Sequence, residues 1–85
     1  MTIKDACKAA VSFVGAKDKS IVNAVETDRF FLFEIPGEGE TYCSPIGVEK
    51  QSGKAAVFFP PNNQEEIKTA VKIKVPNEYK KDDAV

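Results

Sequence analysis

Hydrophobic positions along this 85-residue chain follow a helical period first and strand periods for most of the rest. Ile3, Ala6, Cys7, Ala10, Val11 and Val14 recur at helical spacing, with Lys4, Asp5, Lys8 and Ser12 on the opposite side. Thr2 followed three residues later by Asp5 reads as a capping box with the shorter acid, and Gly15 suits the position just past a helix end. The pattern predicts one amphipathic helix over 2–14. Its alanines make a slim face suited to lying close against a sheet, and Phe13 falls on the flank of the stripe, packing at its edge.

From Ser20 the period shortens to that of a strand. Ile21, Val22, Ala24 and Val25 form a first β segment, and Thr27-Asp28-Arg29 makes a tight connection into Phe30-Phe31-Leu32-Phe33-Glu34-Ile35. A short polar turn between two strands predicts an antiparallel hairpin. Phe31, Phe33 and Ile35 point to one side of the aromatic strand, and Phe30 and Leu32 to the other. A strand apolar on both sides is either central and doubly covered, or has a second face that meets a partner.

Pro36 to Glu40 reads as a loop, and Thr41-Tyr42-Cys43 as a short strand interrupted by Ser44-Pro45. Ile46-Gly47-Val48 resumes it. A turn over 49–54 follows, with Gly53 at the left-handed position of a bulged hairpin, and Ala55 to Phe59 returns until Pro60-Pro61 halts it. Asn62 or Asn63 caps a short helical turn that begins with Glu65 and Glu66. In Thr69 to Val75, Val71, Ile73 and Val75 face inward, and Lys72 and Lys74 guard an exposed edge. The fold class is α+β, with the N-terminal helix packed on one face of an antiparallel sheet of four to five strands. Residues 1–76 form a single domain, and 77–85 read as a charged, frayed tail.

Composition removes most chemistry. Twelve basic against thirteen acidic residues leave a net charge of −1, which builds no strong field for nucleic acid. Histidine is absent, and with it the commonest general base and metal ligand. Glu34, Glu38 and Glu40 cluster around one loop, but calcium sites use more ligands in a tighter loop, so a solvated acidic loop is the plain reading. Gly37 and Gly39 lead into a strand, not a helix, so no phosphate cradle forms. Cys7 and Cys43 read as free thiols packed as small apolar residues. A disulfide would need their Cα atoms within ~7 Å, and a nucleophilic thiol would need a base or positive neighbour. We expect no enzyme activity, no catalytic or metal-binding residues and no cofactor. No signal peptide or membrane span is read, which predicts a cytoplasmic protein without a membrane partner.

Two binding readings survive. Phe30, Leu32 and Phe58 fall on the side away from the helix, so they are either plain core or the candidate interface for a protein partner or a second copy. Lys68, Lys72, Lys74, Lys80 and Lys81 form the only basic stretch, with Tyr79 as its single aromatic, a meagre set for nucleic acid.

The segment Val48-Glu49-Lys50-Gln51-Ser52-Gly53 resembles the "V-[DN]-K-x-[TS]-G" strand-turn of the YrhB-like immunity proteins and related small bacterial and phage proteins. Phe58-Phe59-Pro60-Pro61-Asn62 resembles the "F-x-P" exit of that turn, and the likeness in the order of parts covers residues 3–75. The same strand followed by "K-x-x-G" is similar to the PepSY group of inhibitory or propeptide-like domains. Glu49 stands where Asp or Asn is usual, and the aromatic strand has no tryptophan. The resemblance implies a small non-enzymatic protein that binds another protein, such as a toxin it neutralises. The matching positions are structural, so it carries over no functional residue.

Overall fold

The computed structural model describes residues 1–35, 45–58 and 64–81. The expected loop at 36–40, the strand at 41–43, the Pro60-Pro61 stop and the Asn62 or Asn63 cap lie outside the described residues.

Helix α1 spans Ile3–Val14. The Thr2 hydroxyl accepts the Asp5 N–H at 3.2 Å, and the Asp5 carboxylate accepts the Thr2 N–H at 3.3 Å, so the capping box closes as expected. Those hydrogen bonds to Thr2 hold the Asp5 carboxyl below its ordinary pKa. At the other end Gly15 adopts φ +69°, and the Ala16 N–H reaches the Val11 carbonyl at 2.9 Å.

Five strands follow: β1 (Asn23–Glu26), β2 (Phe30–Glu34), β3 (Ile46–Glu49), β4 (Ala55–Val57) and β5 (Val71–Ile73), with the short helix α2 (Gln64–Lys68) before β5. They form one antiparallel sheet in the order β4-β3-β2-β1-β5, which sets the aromatic strand at its centre. The first four strands are a reversed meander of adjacent hairpins. Only β5 crosses, joining the far edge beside β1.

Register follows the alternation. Ile73, Ala24, Phe33, Ile46 and Val57 form one row on the helix side, and Lys72, Val25, Leu32, Gly47 and Ala56 form the neighbouring row on the other. Ala6, Cys7, Ala10 and Val11 are buried against Phe31, Phe33, Ile35, Ile46 and Val48. The small helical side chains let α1 settle on β2, β3 and β4. Burying Phe33, which is fully enclosed, is worth on the order of 2–3 kcal/mol.

The strand limits differ from expectation in ways that have physical causes. Ile21 lies ahead of β1 and forms an isolated parallel bridge with Lys80. Val71, expected inward, is 62% exposed. It shares a row with Glu26, and α1 covers β2 to β4, leaving that end of the sheet open. Residues 77–81, expected to fray, make a turn docked on Ile21. The Ile21 N–H donates to the Tyr79 carbonyl at 3.0 Å, and the Lys81 N–H to the Ile21 carbonyl at 2.8 Å.

Candidate protein-interaction surface

The three residues picked out for an interface do come together. The Phe30 and Phe58 rings meet edge-to-face with centroids 5.4 Å apart. A Cβ placed on Gly47 would lie 3.1 Å from Phe58 Cδ1 and 3.3 Å from Leu32 Cδ2, so Phe58 folds across the bare glycine onto Leu32. Leu32 is then 3% exposed and Phe58 5%, while Phe30 stays half-buried. The second face thus carries a small core of its own, and of the three residues Phe30 retains the accessible surface. The Arg29 guanidinium lies 5.7 Å from the Phe30 ring centroid and covers part of it.

Exposed apolar surface lies elsewhere: at Val71 on β5, and at a second stretch along the β4 edge. Hydrogen bonding there alternates: the Glu49 N–H donates to the Lys54 carbonyl at 3.0 Å, and the Phe58 N–H to the Pro45 carbonyl at 2.8 Å. Positions 49/54, 47/56 and 45/58 therefore face each other across the ladder, with Pro45 accepting only, and Ala55 and Val57 direct their own N–H and C=O groups away from β3. No described strand pairs with that outer edge. Val57 is 46% exposed, and on the neighbouring helix Phe13 is 49% exposed. Helical spacing sets Phe13 and Ala9 beside Ala6, on the opposite flank from Lys4 and Cys7. Lys4 pairs with Glu78 at 3.2 Å near β1, so the Phe13 flank is the one toward β4. The β5 edge is built differently, with exposed Lys72 and Lys74 beside it.

Sequence reasoning did not single out Val57, and it took Phe13 as edge packing. Neither has a local signal of exposure: an apolar residue in a strand or on a helix flank reads as core until the sheet order is known. A second feature without sequence signal is a polar link at the β1–β2 turn. Arg29 Nε donates to Glu66 Oε1 at 2.7 Å, and the Asp28 N–H donates to Thr69 Oγ1 at 3.3 Å. Hydrogen bonds from Arg29 and then Thr27 hold the Glu66 carboxyl below its ordinary value, and the same pairing raises Arg29. The link fastens α2 to the hairpin. Near the open end of the helix-side core, Lys50 Nζ pairs with Glu26 at 2.6 Å and lies 5.1 Å from the Phe31 ring centroid.

The residues weighed for chemistry are scattered. Cys7 is free and fully buried, and burial, with the Glu78 carboxylate adding to it, pushes its thiol up to about 11. Glu34 accepts a hydrogen bond from Asn23 Nδ2 at 2.9 Å on the surface; Glu38, Glu40 and Cys43 lie outside the described residues. Among the described residues there is no cluster of three or more potential metal ligands, and no helix is long and apolar enough to cross a membrane. Compared with known proteins, the chain matches no family model, no curated protein and no solved structure.

Proposed function

We propose that this is a non-catalytic protein that acts by binding another protein, in the manner of an immunity protein or inhibitor of bacterial or phage origin, and that it binds through the β4 edge. The contrast between the two sheet edges carries the reading. On β5 the exposed Val71 is followed by Lys72 within the strand and Lys74 just after it, whereas β4 is Ala55-Ala56-Val57, uncharged within its span and preceded by Lys54. Two β4 residues aim backbone groups outward, with exposed Val57 and Phe13 beside them. An added strand there gains main-chain hydrogen bonds, and the apolar flank gives it a side-chain footing. The second-face aromatics serve as support for that edge, because Phe58, immediately after β4, anchors it to Leu32 and Phe30.

The test is a matched pair of surface charges. Val57→Lys on β4 and Val71→Lys on β5 both fall at exposed positions, so both variants fold. A partner captured by the wild-type chain is expected to survive Val71→Lys and to be lost with Val57→Lys. Equal capture by all three chains, or loss with Val71→Lys alone, overturns the β4 assignment.

Nucleic-acid binding is the second reading, favoured only by the exposure of Lys68, Lys72, Lys74, Lys80 and Lys81 in the C-terminal third. It requires binding to a generic oligonucleotide that weakens steeply with salt. No mobility shift at low salt ends it.

A further inference from the structure

We propose that Pro76–Lys81 is a strap that opens and closes while the rest of the fold stays intact, gating the seam between α1 and the start of β1. Its attachments are few and local. The Pro76 carbonyl accepts both the Tyr79 and the Lys80 N–H at 2.9 Å, forming a tight turn. Two backbone hydrogen bonds tie that turn to Ile21, the half-buried Tyr79 ring packs on the core, and Glu78 reaches Lys4 at 3.2 Å across solvent.

What lies beneath is fully enclosed. Ile21 and Cys7 are both completely buried, and Val75 nearly so. Lys4 and Cys7, three residues apart on α1, occupy one helix face, so the Lys4–Glu78 pair sits directly over the thiol's side of the helix. The influence of Glu78 on the Cys7 thiol agrees with that placement. By contrast, Ala24 to Glu26 are held between β2 and β5 by two strand ladders. Segments held by a single bridge and an exposed ion pair open at lower cost than a doubly paired strand, in cooperative units smaller than the whole molecule. Opening exposes Cys7 and frees the N–H and C=O of Ile21 on the same edge of β1 that β5 occupies further along. Cys7 is the reporter of this motion and is assigned no chemistry of its own.

Two measurements test the strap. In the wild-type chain, amide hydrogen exchange at Ile21 and Lys81 is expected to be faster than at Leu32 and Phe33 in β2 by about a hundredfold or more. Exchange at one common rate overturns the proposal. In a Cys43→Ser background, Tyr79→Ala is expected to raise the alkylation rate of Cys7 by about tenfold or more, because reaction tracks the open population. Gly47→Ala, which disturbs the opposite face, serves as the comparison at matched global stability. If both variants raise the rate equally, Cys7 is reached by global unfolding and the strap does not exist as a separate unit.

Discussion

Gly47 is where one missing side chain decides the shape of a whole face. Its backbone has no left-handed φ to demand glycine; the requirement is room for Phe58 and Leu32, whose atoms stand 3.1–3.3 Å from where a Cβ would be. Gly47→Ala is expected to push the Phe58 ring off Leu32 and cost about 1–3 kcal/mol, read from urea unfolding midpoints. With Phe58→Ala already present the same substitution should cost clearly less, since the two effects share one contact. Strict additivity would show that the contact is not the cause. Gly53 is the opposite case. Its φ of +73° and the Gly53 N–H to Glu49 carbonyl bond of 2.8 Å belong to the turn itself, so the sequence pattern around it suffices to predict it. Gly47 is unreadable in sequence because its reason lies on the next strand. The same split applies to the candidate interface. Alternation is enough to put Phe30, Leu32 and Phe58 on one side, but not to reveal that the ring of Phe58 closes over Leu32.

At the scale of elements, α1 and α2 draw stability from different places. Everything that defines α1 lies within residues 2–16: the capping box, the apolar stripe and Gly15, so it is legible from end to end. Helix α2 has five residues, too few to persist alone, and depends on Arg29 and Asp28 from a distant turn. That dependence predicts a pH response. Glu66 is depressed below its ordinary value of 4.5, so its contribution is complete above that value and lost as pH falls through the depressed folded pKa. Glu66→Gln should therefore be less stable than wild type at about pH 7, with the gap in urea midpoints closing toward about pH 3. A gap that stays constant over that range would mean the carboxylate charge is not what holds α2. The pairing could not be foreseen from charge pattern, because Arg29 and Glu66 become neighbours only once β5 lies beside β1. The strand limits were similarly local in part. Gly and Pro mark where strands end, yet the shortness of β5 and the exposure of Val71 depend on how far α1 reaches across the sheet.

For the whole molecule, the α+β class follows from one helical period and several strand periods, and the structure has that architecture. Strand order was not readable, because hairpins predict neighbours only along the meander and say nothing about where β5 inserts. Its placement has a kinetic consequence. The four meander strands pair across separations no wider than that of Phe30 and Glu49, 19 residues, whereas β5 meets β1 across 45 (Glu26 to Val71) to 49 (Ala24 to Ile73). Residues 58–70 must carry the chain past four strand spacings, roughly 19 Å. Closing that longer path costs entropy before any contact repays it, so β5 is expected to dock late. Ile73→Ala should then accelerate unfolding and leave the refolding rate nearly unchanged, while Val48→Ala, in the β2–β3 hairpin, should slow refolding. Chevron plots of the two variants check this, and a refolding limb slowed equally by both would contradict it. The edge strand that arrives last would not hurry the chain into its native form, but it would set how long the chain remains there.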